Sequence, residues 1–287
     1  MLSYRETYQS LRKLALDRQV PLLVHAAPAV VRDIQGGVDS LLGVLLSLFQ
    51  TVLAPAFTYR TLLVPEVGPA NNALRYGAAL DRNLEAEFFR PGLPVDPNLG
   101  ELAEKLRSFR GAQRSSHPIL SFSGVNAAEY LEAQTLERPF GPVGAMAQAG
   151  GWLLLLGVDH TWNASLHWAE YLAGRKQFTR WALTTQGVVE CPEFPGCSQG
   201  FNAIQGRLDG LERCSQVGTV KAAAYPLHEL IEIARTWIAA EPEALLCLRE
   251  DCEFCAAVRA ANSQSVPEEV ESRGLGGEWI SENIQEG

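Results

Sequence analysis

No apolar run in this 287-residue sequence approaches the ~18–20 residues of a membrane span. The opening stretch "MLSYRETYQSLRKLAL" lacks the charged-then-apolar order of a secretory leader, so a cytoplasmic location is expected. In that compartment the six cysteines are expected as reduced thiols or metal ligands. Positive charge is not in excess either. A net charge of −9 argues against nucleic acid or an anionic membrane as partner. Much of that charge sits in residues 262–287, which carry six Glu against one Arg. Internal repeats are absent, and so are His-Glu-x-x-His, Gly-x-Ser-x-Gly and a Walker loop. A metal-dependent hydrolase would therefore rest on histidine richness alone.

What is present is a chain of ordinary globular composition, 47% hydrophobic and 20% charged, long enough for a substantial core. Leu2, Tyr8, Leu11, Leu14 and Leu16 recur at roughly helical spacing in the first segment. "VPLLVHAA" (20–27) then predicts a buried strand, 36–49 a helix begun by Gly36-Gly37, and 51–58 a second strand. Strand, helix and strand at these short intervals point to a layered α/β fold. Residues 59–100 hold five prolines and no sustained periodicity, and "FFRPGLPVDPNLG" is a loop by composition. Helices are expected at 100–110 and 126–135, and "GWLLLLGV" (151–158) is the clearest buried strand. A helix of about ten residues follows from near Asn163. The stretch 177–190 is β-like, and 202–212 and 226–261 are expected to be helix-rich. No linker divides the chain, so one domain over 1–261 with an acidic tail over 262–287 is expected. The segment "YRETYQSLRKL" and the scattered tryptophans leave room for a homodimer.

Three segments carry the candidate chemistry. In "GVDHTWNASLHWAEY" an apolar strand runs into a helix on which His167, Glu170 and Tyr171 share a face, while His160 lies in the preceding loop. The end of a strand is where α/β proteins place ligand sites. A half-buried histidine bonded to backbone is the plainer reading of His167 at this point. In "RSSHPILSFSGVN", Arg114, Ser115 and Ser116 offer a local set of anion donors beside His117, and a solvated loop is the plainer reading. Finally, Cys247, Cys252 and Cys255 form C-x4-C-x2-C, and with Cys197 or Cys191 they would supply four ligands for one structural zinc. Buried, unreactive cysteines are the alternative.

Taken together, "RSSHPILSFSGVNAAEYL", "ERPFGPVG" and "WLLLLGVDHTWNASLHWAEY" occur in the order and spacing of the aminoglycoside 3-N-acetyltransferases, the antibiotic 3-N-acetyltransferase family. "VPLLVHAAPAVVRDIQGGVDSLLGVL" and "PGCSQGFNAIQGRL" also resemble that family, so the resemblance spans roughly residues 15–240. It implies an α/β/α layered sandwich and transfer of acetyl from acetyl-coenzyme A to an amine without a covalent enzyme intermediate. By the same resemblance His167 is the general base, and Thr161, Asn163 and Ser165 help shape the site of the tetrahedral intermediate. His160 lines the substrate pocket with Thr161 and Asn163, and Glu170 supports the helix or the acceptor pocket. The coenzyme would lie along His25, Gly36, Gly37, Arg114, Ser116 and His117. A base makes chemical sense, since an ammonium cannot attack a thioester and an imidazole titrates near neutral pH.

The sequence departs from the family pattern at three places. Ala26 and Ala27 stand where a serine commonly follows the first-strand histidine. Val143 and Gly144 stand where Ser-Pro is common. Asn202 stands where an acid often pairs with the base; an asparagine can orient an imidazole but adds no charge. The sequence thus leads to two expectations: an acyltransferase acting on an aminoglycoside or related polar amine, or a non-catalytic member of the fold that binds a small molecule and is stabilised by zinc.

Overall fold

The computed structural model describes residues 1–77 and 83–264. Its strands are β1 (Leu22–Ala26), β2 (Val52–Pro55), β3 (Leu62–Leu63), β4 (Ala112–Arg114), β5 (Phe122–Val125), β6 (Trp152–Leu156), β7 (Phe178–Thr184), β8 (Gly187–Phe194), β9 (Arg213–Val217) and β10 (Val220–Pro226). Seven of them form one sheet in the order β4-β5-β2-β1-β6-β10-β9, and β3, β7 and β8 form a second. The centre of the large sheet, β2-β1-β6, is parallel, with antiparallel pairs on both flanks.

The alternation of strand residues separates two cores, as the period of two requires. Leu22, Val24, Val52, Leu154 and Leu156 face one side. There they meet α1 (Tyr4–Arg12), α2 (Pro28–Arg32), α3 (Gly37–Leu48) and α4 (Glu101–Ser108). Leu23, Leu53, Leu153 and Leu155 face the other side. They pack with α5 (Ala128–Leu131), α6 (Gly141–Gln148), α7 (Ser165–Leu172), α8 (Leu227–Ala240) and α9 (Glu253–Gln264). This is the α/β/α sandwich expected, and "WLLLL" is apolar throughout because both faces of β6 are covered. Among the described residues no helix is long and apolar enough to cross a membrane.

Local chemistry explains several element boundaries. Ser3 opens α1 in a capping box, its hydroxyl accepting from the Glu6 amide while Glu6 accepts from the Ser3 amide at 2.8 Å. Gly36 starts α3 at φ +82°, where a Cβ would meet Ser40 Oγ.

The structure corrects the sequence reading in three places. The helix expected over 126–135 is only the single turn α5. The helix expected over 202–212 is a 3-10 segment, Phe201–Arg207, and the β9–β10 hairpin comes after it, which periodicity did not suggest. The region 226–261 is two helices separated by an irregular stretch from 241 to 252. Most of the expected acidic tail, residues 265–287, lies outside the described residues.

Candidate active site

The carboxyl ends of β2, β1 and β6 open into a cavity of about 330 Å3. It is lined by His25, Pro55, Phe57, Tyr59, Asn98, Leu99, Thr161, Trp162, Asn163, Ala164, His167, Ser198 and Gln199. Its position follows from the parallel centre of the sheet, where strand ends and helix starts converge. Thr161 and Trp162 also border a second groove of about 540 Å3, lined further by Ala27, Gly157, Asp159 and Lys221. Cavity and groove therefore meet at these two residues.

His167 projects from the first turns of α7 and is held on three sides. Its Nδ1 lies 2.7 Å from Glu170 Oε2, one helical turn on. The other Glu170 oxygen accepts from Arg175 Nη1 at 2.8 Å. Arg175 Nη2 donates in turn to the carbonyls of Pro242 and Ala244 at 2.9 and 2.5 Å. All three side chains are buried. The imidazole also packs against Phe140 and Phe201, with ring centroids 5.4 and 4.8 Å away. A carboxylate at Nδ1 fixes the tautomer with the proton on that nitrogen, leaving Nε2 as a lone-pair acceptor on a cavity-lining residue.

His25 stands next to last in β1, paired in register with Leu155, and its side chain takes the cavity side of the sheet. Burial pushes its imidazole down to about 4, so it is neutral at physiological pH. Its Nε2 is buried without a protein partner while the residue lines the cavity.

His160 has a different environment. Nε2 meets Gln205 Oε1 at 3.2 Å, Nδ1 meets the Asn163 amide at 3.1 Å, and the ring lies on Tyr225 at 4.9 Å. Burial, partly offset by the Gln205 bond, lowers its imidazole below the ordinary range. Asn163 Oδ1 accepts from the Ser165 amide and hydroxyl at 3.0 and 2.5 Å, satisfying donors at the start of α7. Asp159 accepts from the Thr161 amide and hydroxyl and from Asn202 Nδ2, the last at 2.7 Å. Burial raises Asp159, but the Thr161 and Asn202 bonds outweigh it and hold the carboxyl below the usual range.

Several sequence expectations shift accordingly. Asn202 was expected beside the base and is bonded to Asp159 instead; the partner of His167 is Glu170. Glu170 was expected to support the helix or the acceptor pocket; it is 2% exposed and sits behind the histidine rather than in the cavity wall. Arg114 was expected at a phosphate. Its guanidinium donates to Ser121 Oγ and to the carbonyls of Pro91, Leu93 and Ala56, so it clamps a loop. Burial, reinforced by Arg107, lowers it to about 10. Ser116 and His117 line a separate cavity of about 430 Å3 with Arg114. Gly36 and Gly37 lie near Ser40, Val31 and the N-terminal segment and do not border the His167 cavity. The family hydroxyl positions divide too: Ala27 borders the groove, whereas Val143 is fully buried and Gly144 lies against the Trp168 ring.

Arg175, Asn98, Tyr59, Ser198 and Gln199 were missed. Arg175 gave no signal because it turns back to Glu170 from just beyond α7. The cysteines sort cleanly. The Sγ atoms of Cys197, Cys247, Cys252 and Cys255 all lie within 4.8 Å of one another. Cys191 is buried in β8 and Cys214 is exposed on β9.

Comparison with known proteins agrees with this architecture. The family model for aminoglycoside 3-N-acetyltransferase matches residues 23–239. Aminoglycoside N(3)-acetyltransferase III of Salmonella sp is 29% identical over 263 residues, covering 80% of this chain and 89% of that protein. Aminoglycoside N(3)-acetyltransferase IV of Salmonella sp is 31% identical over 157 residues, a match spanning about half of each chain (53% and 52%). Among solved structures, aminoglycoside acetyltransferase AAC(3)-IVa superposes with a TM-score of 0.74 at 24% identity, covering 90% of this chain and 97% of its own. A mutant of that enzyme was solved in complex with gentamicin. AAC-IIIb in its binary complex with coenzyme A gives 0.69 at 20% identity, covering 83% and 97%. With a family model that matches most of its length, the chain belongs to the aminoglycoside 3-N-acetyltransferase family of acyltransferases.

Proposed function

We propose that this protein transfers the acetyl group of acetyl-coenzyme A to an amine of an aminoglycoside or related polar amine, with His167 as general base. The observation that carries this reading is the buried His167–Glu170 pair, whose remaining ring nitrogen belongs to the wall of a cavity. An amine protonated at neutral pH has no lone pair. Nε2 of His167 accepts a proton from it, and Glu170 stabilises the imidazolium that results. Arg175 balances the charge of Glu170 inside the protein, where an unpaired carboxylate would be costly. The tetrahedral carbon formed by attack on the thioester carries an oxyanion that needs a donor. His25 suits this role in the tautomer with its proton on Nε2, because it is neutral and that atom has no partner in the protein.

Acetyl-coenzyme A supplies the activated acyl group. The groove that meets the cavity at Thr161 and Trp162 is the path along which a long thioester arm would reach His25. The coenzyme-A-bound and gentamicin-bound relatives support the two substrate classes. Use of acetyl-coenzyme A supports a cytoplasmic protein. A second reading, a non-catalytic family member that binds a small molecule, is favoured by Ala27, which lines the groove with a methyl where the family pattern implies a serine.

Isothermal titration with acetyl-coenzyme A, followed by mass detection of acetylated products across an aminoglycoside panel, separates the two. Saturable binding and a single added acetyl group are expected. Absence of coenzyme A binding at millimolar concentration overturns the acetyltransferase reading.

A further inference from the structure

We propose that Cys197, Cys247, Cys252 and Cys255 bind one Zn2+ as a tetrathiolate that locks the wall of the catalytic cavity to the C-terminal part of the chain. The mutual distances, all within 4.8 Å, are the first argument. Sulfurs about 2.3 Å from a tetrahedral zinc stand roughly 3.8 Å apart, so a small closure of the cluster around the ion completes the site. The donor set is the second argument. Four soft thiols with no carboxylate or imidazole select zinc over magnesium or calcium. Two disulfides would need only two close pairs, not four mutually close sulfurs. Three of the thiols are buried and Cys197 is half-buried, so the ion would be shielded from water. The Gln199 amide donates to Cys197 Sγ at 3.4 Å, as backbone amides do toward metal-bound thiolates. With four protein ligands no position stays open for water or substrate, so this zinc is structural.

The ligands come from two regions that both bear on the cavity. Cys197 is followed directly by Ser198 and Gln199, which line it. Gly200 then passes so close to the other region that a Cβ there would lie 2.4 Å from the Leu245 carbonyl oxygen. Phe201 comes next and packs on the His167 ring. On the other side, Cys247 lies just beyond Pro242 and Ala244, whose carbonyls hold Arg175 and through it Glu170. The metal therefore ties the wall that faces the substrate to the carbonyls that position the base.

The metal itself rests on sulfur geometry alone. Its effect on catalysis rests on the acetyl-transfer reading, so the two fail separately. The test is elemental analysis of the purified full chain, then metal release by a mercurial thiol reagent and reconstitution with Co2+. About one zinc per chain and the charge-transfer and ligand-field bands of a tetrahedral cobalt tetrathiolate are expected. Paired replacement Cys252→Ser with Cys255→Ser should remove the metal, whereas Cys191→Ser and Cys214→Ser should retain it. If the paired variant does not fold, the stoichiometry and cobalt spectrum of the native chain decide. A reduced native chain that takes up neither Zn2+ nor Co2+ overturns the proposal, and so does full metal content in the folded paired variant. Zinc at full occupancy without acetyl transfer upholds the site and sinks only the enzymatic reading.

Discussion

Two cavities of comparable size, about 330 and 430 Å3, are lined by buried histidines, His167 and His25 in the first and His117 in the second, but only His167 has a charge partner. In the first, His167 Nδ1 is bonded to Glu170 while the residue lines the cavity. In the second, His117 Nδ1 accepts from the amides of Ile119 and Leu120, and the neighbouring Arg114 is committed to backbone carbonyls. Burial drives His117 down to about 4 with no carboxylate to oppose it. Under the proposed mechanism, the difference teaches what makes a base. Concavity and a histidine are shared, while the fixed proton on Nδ1 and the anion behind it are not. Two arginines differ in the same way: buried Arg175 holds Glu170 behind His167, whereas half-buried Arg114 holds a loop.

Arg175→Met gives the largest expected effect on stability, because it strands the Glu170 carboxylate in the interior. A loss of about 3–5 kcal/mol by chemical denaturation is expected, with lower kcat in whatever folds. A loss below 1 kcal/mol would mean that Glu170 does not depend on it. Acid is next. His25 and His117 are both held at about 4 when folded, against about 6.5 when unfolded. The unfolded chain therefore binds protons that the native chain excludes between these pH values. Stability is full above pH 6.5 and declines as pH falls toward 4, by on the order of 3 kcal/mol per histidine. Urea melts from pH 7 to 4 should show a smaller decline after His25→Gln; an unchanged slope would contradict the assignment. His117→Ala leaves two buried amides without an acceptor and should cost about 1–3 kcal/mol with kcat unchanged. Asn202→Ala removes one bond to Asp159 and should cost about 1 kcal/mol, with turnover within roughly threefold of native. A hundredfold loss of turnover would return Asn202 to the catalytic machinery.

Much of the scaffold was legible in the sequence. "VPLLVHAA" and "WLLLL" read as strands because central parallel strands are covered on both faces, and the ordered motifs fixed the layer arrangement. The β9–β10 hairpin was not legible, since "VGTVKAAA" carries too little contrast between apolar and polar positions to show a period of two. At the site, His167 and Glu170 were visible as neighbours on a helix face. Their bond was not assigned, because the i, i+3 spacing equally suits a surface pair. Asn202 was drawn toward the base by chain order, while in space a carboxylate in the loop before α7 takes its amide. Arg175 and the carbonyls of Pro242 and Ala244 are contacts made across some seventy residues, and no local pattern carries them.

The most direct test of the account is turnover by His167→Ala, measured as acetyl-coenzyme-A-dependent thiol release with an aminoglycoside acceptor beside native protein and His117→Ala. A fall in kcat of about 10²–10⁴-fold is expected for His167→Ala, with coenzyme A binding and the unfolding midpoint retained, and native kcat for His117→Ala. Native kcat in His167→Ala, or an equal loss in His117→Ala, would contradict it.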